Sequence, residues 1–152
     1  MKETSLCYIE KDGAYLMMHR VKKENDLNHD KWVGPGGKFE GNESPEECML
    51  REVYEETGLR LTSYQYRAVI TFLSDTWEGE HMHLFTADAY EGEIGECSEG
   101  VLEWVKKEDV KNLPIWEGDK LFFDLMEKAN FFTMILEYRG DTLVRHEEKV
   151  YW

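Results

Sequence analysis

A glycine-rich turn followed by a short acidic helix is the feature that most constrains this chain. Residues 34–59 read GPGGKFEGNESPEECMLREVYEETGL. Ser44, Pro45 and Glu47 occupy the N-cap, first-turn proline and returning-acid positions of a capping box, and Gly58 supplies a left-handed stop. The sequence therefore predicts a helix between Ser44 and Gly58.

The two sides of this helix differ in chemistry. At about 100° per residue, one side is mainly apolar and is predicted to pack, through Met49, Leu50, Val53, Tyr54 and Thr57. The neighbouring stripe carries three acids, Glu52, Glu55 and Glu56. Like charges at i,i+4 destabilise a helix by roughly 0.2–0.5 kcal/mol per pair, and negative charge in the last turn opposes the helix dipole. A solvated face with an Arg51–Glu55 pair is one interpretation. A hard divalent cation that removes the repulsion is the other, because Mg²⁺ takes carboxylate oxygens as ligands.

The spacing of these residues resembles the complete signature of the Nudix hydrolases. Five residues separate Gly37 from Glu43, and seven separate Glu43 from the segment REVYEETGL at 51–59. The resemblance implies an α/β fold, the Nudix α/β/α sandwich with a mixed sheet, in a single domain at residues 1–152. It also implies hydrolysis of a nucleoside diphosphate linked to another group.

The resemblance implies roles for individual residues. Arg51, Glu52, Glu55 and Glu56 match the catalytic positions, with Arg51 orienting the acids and the three glutamates binding Mg²⁺ or Mn²⁺. The Gly36 carbonyl would lie beside the metal. Glu99, in the acidic loop before Trp104, is either a further metal ligand or a plain solvated acid. The general base is expected among the four glutamates.

Three stretches resemble the MutT-like oxidised purine nucleoside triphosphatases: HDKWVGPGGK at 29–38, EHMHLFTADAYEG at 80–92 and LPIWEGDKLFF at 113–123. This resemblance implies a purine nucleoside triphosphate such as 8-oxo-dGTP as substrate, with Trp116 stacking on the base and Asp119 bonding its edge. Val33 and Gly118 depart from the animal pattern, in which an asparagine and a second acid stand at these positions.

Residues in two other segments are candidate contacts to the substrate. Gly37 and Lys38 belong to the glycine-rich turn, and Lys23, with Lys22, lies in the polar loop that precedes it. The lysine pair could contact phosphates or simply be solvated. A hydrolase of other canonical or modified nucleotides and a module that senses a nucleotide without cleaving it are the alternatives. The full set of acids disfavours the second.

Charge and composition exclude several classes of function. The formal net charge of −14 disfavours binding to nucleic acid polymers and anionic membranes. No apolar run approaches the ~18 residues of a membrane span, and no secretory h-region is present, so a cytoplasmic location is the default expectation. A monomer or homodimer is expected, and the sequence does not choose between them. The three cysteines lack any CxxC pattern, and reduced thiols are expected.

The remaining segments predict strands around a second helix. Hairpins are expected at 4–20 and 131–151, strands at 61–73, 80–90 and 101–105, and a helix within 113–129. Cys7 and Ile9 alternate on the first strand, where they could line a base pocket or pack in the core.

Overall fold

A computed structural model describes residues 1–22 and 26–152 of the chain. Nine strands and three helices lie within the described residues. In chain order they are β1 Lys2–Lys11, β2 Ala14–His19, β3 Trp32–Val33, β4 Gly36–Lys38, α1 Pro45–Thr57, β5 Arg60–Ser74, β6 Glu80–Glu91, β7 Val101–Lys106, α2 Lys107–Val110, α3 Glu117–Met126, β8 Phe132–Arg139 and β9 Thr142–Val150.

The strands form a mixed sheet in the order β3-β2-β1-β6-β5-β8-β9. β1 is parallel to β6 and β5 is parallel to β8, whereas β5–β6 and β8–β9 are antiparallel. Both predicted hairpins are present, as β1–β2 and β8–β9. β4, which carries the glycine-rich turn, pairs with β1 and contacts α1. The pairing therefore places the turn beside the acidic helix.

Side chains of β1 alternate between two cores. Cys7 and Ile9 pack with residues of α1 in one core, whereas Tyr8 packs with Phe122 and Phe123 of α3 in the other. Helices thus cover both faces of the mixed sheet, which confirms the predicted α/β class. Core packing, rather than a base pocket, accounts for Cys7 and Ile9.

Helix α1 begins and ends where the sequence predicts. The Ser44 hydroxyl accepts a hydrogen bond from the Glu47 N–H at 3.1 Å, and the Glu47 carboxylate accepts one from the Ser44 N–H at 2.9 Å. Pro45 is the first helical residue. Gly58 adopts φ +82° and donates its N–H to the Tyr54 carbonyl at 2.9 Å. Because these contacts are local, the sequence alone could predict them.

The buried face of α1 is rotated relative to the prediction. Tyr54, predicted to pack, is 45% exposed, and the Arg60 guanidinium lies 4.3 Å from its ring centroid. Glu56 is only 7% exposed. The buried arc is centred on Met49 and Glu56 and extends from Cys48 to Thr57, so Tyr54 falls beyond its edge. The prediction for Tyr54 was therefore wrong. The sequence does not specify that the fold buries Glu56, and the burial of Glu56 sets the rotation of α1 that leaves Tyr54 exposed.

None of the helices in the described part of the chain is both long and apolar enough to cross a membrane.

Candidate active site

The Arg51 side chain connects the glycine-rich turn to the acids of α1. Its Nε and Nη2 donate to the two carboxylate oxygens of Glu43 at 2.7 and 2.9 Å. Nη1 donates to Glu52 at 2.8 Å and to Glu55 at 3.1 Å, and Nη2 also donates to the Lys38 carbonyl at 3.0 Å. Hydrogen bonds from Arg51 lower the pKa of Glu43 to about 2. The arrangement suits an arginine that orients its neighbouring carboxylates.

Gly37 lies directly against the Glu52 carboxylate. A Cβ atom at position 37 would stand 2.6 Å from the Glu52 Cδ and 2.7 Å from each carboxylate oxygen. The Glu52 side chain is 15% exposed, and burial raises the pKa of its carboxyl group. The absence of a side chain at Gly37 is therefore what allows this acid to approach the turn.

Glu56 lies under the turn, where its carboxyl group bonds to backbone. The Gly36 N–H donates to the Glu56 Oε2 at 2.8 Å. Burial raises the pKa of Glu56 to about 9, and a hydrogen bond with Glu99 adds to the rise. The Glu56 carboxyl group is therefore expected to retain its proton near neutral pH. Glu99, 41 residues from Gly58 in sequence, is thus brought next to the last turn of α1.

Arg20 anchors Glu99 from the other side. This arginine is 9% exposed, its Nη1 donates to the Glu99 carboxylate at 3.1 Å, and its Nε donates to Asp26 at 2.7 Å. The interpretation of Glu99 as a plain solvated acid is therefore wrong, because its carboxyl group contacts both Arg20 and Glu56.

A cavity of about 480 Å³ adjoins these acids. Its polar wall includes Glu52, Glu99, Arg20 and the turn residues 36–38. The same cavity is lined by a group of largely buried aromatic and acidic side chains, Tyr8, Phe72, Glu80, Trp116, Asp119, Phe122 and Tyr138. One continuous space therefore joins the acids of the turn and helix to an aromatic pocket, a combination that suits a ligand with a charged end and a flat end.

Trp116 and Asp119 both line this cavity. Trp116 is 6% exposed, and its indole N–H donates to the Asn28 side-chain oxygen at 2.8 Å. The Lys31 ammonium lies 4.7 Å from the Trp116 ring centroid. Burial raises the pKa of Asp119 to about 8, the nearby Glu80 carboxylate adds to the rise, and Lys31 opposes it. Trp116 is thus oriented by hydrogen bonding, and Asp119 is available to a ligand as a neutral or ionised acid near neutral pH.

The raised pKa of Asp119 predicts a specific pH dependence of stability. From its ordinary value of 3.8 up to about 8, the folded chain retains a proton that the unfolded chain has lost. The free energy of unfolding should therefore fall as the pH rises through that window. Asn at 119 does not titrate, so we expect the stability of Asp119→Asn relative to wild type to increase across it, as measured by urea unfolding. The exposed variant Asp88→Asn is the control, and a parallel trend there would contradict the assignment.

The acids suit a hard divalent cation by their chemistry. Glu52, Glu55, Glu56 and Glu99 offer only oxygen donors, which Mg²⁺ and Mn²⁺ accept. Within residues 1–22 and 26–152, no three acidic, histidine or cysteine side chains converge on one point as a preformed metal site. Their oxygens are instead engaged by Arg51, by the Gly36 N–H and by the Glu56–Glu99 hydrogen bond. Binding of a cation would displace the proton of Glu56 and relieve the like-charge repulsion between the glutamates.

Comparison with known families decides the classification. The model of the NUDIX domain matches residues 3–126 of the chain, which include the glycine-rich turn, α1, Glu99 and Asp119. The chain belongs to the Nudix hydrolase family.

Relatives of this Nudix hydrolase share most of its length. The Nudix hydrolase YvcI of Bacillus subtilis is 33% identical over 136 residues, covering 85% of this chain and 81% of its own. An oxidized purine nucleoside triphosphate hydrolase of Danio rerio is 32% identical over 128 residues, covering 82% and 81%. The MutT protein of Bacillus halodurans superposes with a TM-score of 0.85 at 26% identity, covering 97% of both chains. These matches confirm the resemblance, the Nudix fold and the enzyme class.

The predicted site residues of this Nudix hydrolase do not all meet at the cavity. The residues that line it are Gly36, Gly37, Lys38, Glu52, Glu99, Trp116 and Asp119. Glu56 contacts the turn from beneath, and the Glu55 side chain is 54% exposed. Lys22 donates to the Cys97 carbonyl at 2.9 Å, and Lys23 lies outside the described residues.

The cavity residues that the sequence did not single out include Arg20, Asp26 and Glu80. Arg20 directly follows β2, and a charged residue at the end of a buried strand is a signal that could have been used. Glu80 begins β6, and nothing in its spacing distinguishes it from the neighbouring surface acids. Its burial is visible only in three dimensions.

Proposed function

We propose that this Nudix hydrolase is a Mg²⁺-dependent pyrophosphohydrolase that converts a purine nucleoside triphosphate, such as 8-oxo-dGTP, to the monophosphate and pyrophosphate. The observation that carries the proposal is the single cavity lined by Glu52 and Glu99 as well as by Trp116 and Asp119. The relatives named as oxidized purine nucleoside triphosphate hydrolases support it. Acting in the cytoplasm as a monomer or homodimer, such an enzyme would remove oxidised precursors before they enter DNA.

The cavity residues would bind the two ends of the substrate, the base and the phosphates, separately. Trp116 would stack on the purine, a contact worth ~1–3 kcal/mol, and Asp119 would bond its edge. The backbone of the turn at 36–38 lines the cavity and would approach the phosphates. Lys38 supplies a positive charge at the same wall.

The acids would serve the hydrolytic step. When bound, a divalent cation polarises phosphoryl oxygens and lowers the pKa of a bound water. One water adds to phosphorus, the phosphoanhydride bond to the leaving group breaks, and a carboxylate takes the proton. Glu52 and Glu99 line the cavity, and Arg51 and Arg20 position them. Glu55 and Glu56 would complete the cation's surroundings.

An alternative substrate within the same chemistry is a canonical or otherwise modified nucleotide. Val33, an apolar residue, lines the cavity where the animal enzymes have an asparagine, and Gly118 offers no acid. Both departures would weaken selectivity for 8-oxoguanine. A sensor that binds without cleaving is the second alternative, which the full set of acids disfavours.

Turnover of a nucleotide panel tests the proposal. We expect release of pyrophosphate and monophosphate from 8-oxo-dGTP and dGTP with Mg²⁺, and none when Mg²⁺ is chelated. The panel includes dATP, dCTP and ADP-ribose as matched competitors. Release of orthophosphate, turnover without divalent cations, or faster cleavage of dCTP would contradict the proposal. Tight binding without cleavage would identify a sensor.

A further inference from the structure

Glu80 is a buried acid in the cavity that the hydrolytic step does not use. It begins β6, where it pairs with Phe72 of β5 and with Lys2 of β1. Glu80 is 8% exposed, and its Oε2 accepts a hydrogen bond from the Thr4 hydroxyl at 2.7 Å. Within the described residues, no group donates to its Oε1. One carboxylate oxygen is thus satisfied by protein, and the other is free for a ligand in the cavity.

Asp119 presents a second unsatisfied acid to the same space. It lies in the first turn of α3, is 8% exposed, and receives no side-chain hydrogen bond from the described part of the chain. The charged groups that act on it are Glu80 and Lys31, and Lys2 acts on Glu80. Within the described residues no fully buried side-chain oxygen lacks a hydrogen-bond partner, so the unpartnered carboxyl oxygens of Glu80 and Asp119 are open to the cavity that both residues line. A ligand in this cavity can therefore donate hydrogen bonds to both acids.

The packing around Gly118 leaves no room for a side chain at this position. A Cβ at position 118 would stand 2.5 Å from the Leu136 Cδ1 and 2.8 Å from the Tyr138 hydroxyl oxygen. That hydroxyl oxygen accepts a hydrogen bond from the Gly118 N–H at 2.7 Å. A side chain at 118 would therefore displace buried partners. Phe72 pairs with Glu80 in the sheet register, and its ring contacts the Trp116 ring at a centroid distance of 5.8 Å. Glu80 and Trp116 line the same cavity.

We propose that Glu80 and Asp119 together recognise the N–H-rich edge of a guanine-type base, and that Glu80 sets the preference for guanine-type over adenine-type nucleotides; this assignment rests on the proposed nucleotide hydrolysis. A 2-amino-6-oxopurine carries adjacent ring N–H and amino donors, which carboxylate oxygens accept. Adenine places a ring-nitrogen acceptor beside its amine, so an ionised Glu80 would hold an oxygen against a lone pair, and that oxygen would remain unpaired. A site built to accept such donors discriminates against a base that lacks them.

Binding of the product nucleotides tests Glu80 independently of turnover. Calorimetry with GMP and AMP in the absence of divalent cations gives the ratio of their dissociation constants. We expect wild type to favour GMP and Glu80→Gln to reduce that preference about tenfold, the usual effect of losing one hydrogen bond to a charged group. Glutamine keeps an oxygen for the Thr4 hydroxyl, so the fold should persist. Glu80→Asp, which withdraws the carboxylate by one methylene, should also lower the ratio.

Glu3→Gln is the matched control, because Glu3 lies on the adjacent strand, bonds His81 and His83, and does not line the cavity. An unchanged ratio for GMP over AMP in Glu80→Gln, an equal change in Glu3→Gln, or the absence of a guanine preference in wild type would each overturn the assignment. Failure of the hydrolysis panel alone would overturn the proposed function, whereas the binding ratio would still decide the role of Glu80.

Discussion

Glu56→Gln is expected to abolish Mg²⁺-dependent hydrolysis while the protein remains folded. The side chain is 7% exposed, accepts the Gly36 N–H at 2.8 Å, and shares a hydrogen bond with Glu99. Glutamine retains the shape and an oxygen for Gly36, but it cannot become an anion when a cation arrives. Loss of kcat/KM should exceed about 100-fold, since residues that merely support metal ligands typically contribute 10–100-fold.

The same substitution should change how stability depends on pH. The pKa of Glu56 is raised to about 9 from an ordinary value of 4.5. Between these values the folded chain retains the proton and the unfolded chain does not, so wild-type stability falls as the pH rises. Glu56→Gln removes this loss, and its relative stability should grow toward alkaline pH. A general structural defect would lower stability at every pH.

Calorimetric titration with Mn²⁺ and initial rates with Mg²⁺ test this prediction together. Glu56→Gln should lose both cation affinity and turnover, whereas the exposed variant Glu91→Gln should keep both. Glu55→Gln, at a half-exposed position bonded to Arg51, should give a smaller loss. Retention of Mg²⁺-dependent turnover within about tenfold of wild type by Glu56→Gln would remove Glu56 from the site.

The local parts of the site could be predicted from sequence because their determinants are contiguous. Ser44, Glu47 and Gly58 satisfy the ends of α1 through partners within four residues, and the Arg51–Glu55 contact follows from helical periodicity. The spacing of the Nudix signature then placed Gly37 and Glu52 in one turn and helix. These predictions rested on helical geometry and on the fixed spacing of the Nudix signature.

The long-range parts could not be predicted because they depend on strand register. Glu80 and Thr4 are 76 residues apart and meet because β1 and β6 pair in parallel. Arg20 reaches Glu99 across 79 residues. Tyr8 lines the cavity and Cys7 does not. A shift of β1 by one residue in its pairing register would exchange the two, because it moves every side chain of the strand to the opposite face. No local sequence pattern around these residues specifies which strands pair or in which register.

Gly37→Ala should impair catalysis through Glu52 while costing little stability. The three atoms nearest to an added Cβ all belong to the Glu52 carboxylate, at 2.6–2.7 Å. This group is the end of a flexible side chain, so it can move without displacing the backbone. Its movement would break the 2.8 Å hydrogen bond from the Arg51 Nη1 to the Glu52 carboxylate and shift that carboxylate along the cavity wall. A displacement of about 1 Å can lower kcat/KM about 100-fold.

Alanine substitutions at two other glycines, Gly36 and Gly95, provide comparisons for the effects of Gly37→Ala on activity and thermal stability. At Gly36 the added Cβ would stand 2.2 Å from the Ser5 carbonyl oxygen and 2.7 Å from the Leu6 Cα, so Gly36→Ala should lower the melting temperature as well as activity. At Gly95 no atom lies within 4 Å, and Gly95→Ala should change neither. Gly37→Ala is therefore expected to separate the two effects, with activity reduced and thermal unfolding close to wild type.

A double-mutant cycle with Glu52→Ala distinguishes this mechanism from a direct role of Gly37 in substrate binding. Alanine at 52 removes the carboxylate that the new methyl group would meet, so adding Gly37→Ala in that background should cost almost no further activity. The coupling follows from steric contact between the two positions, because residues that act through one another lose additivity. An undiminished effect of Gly37→Ala in the Glu52→Ala background would mean that the methyl group obstructs the substrate rather than the acid.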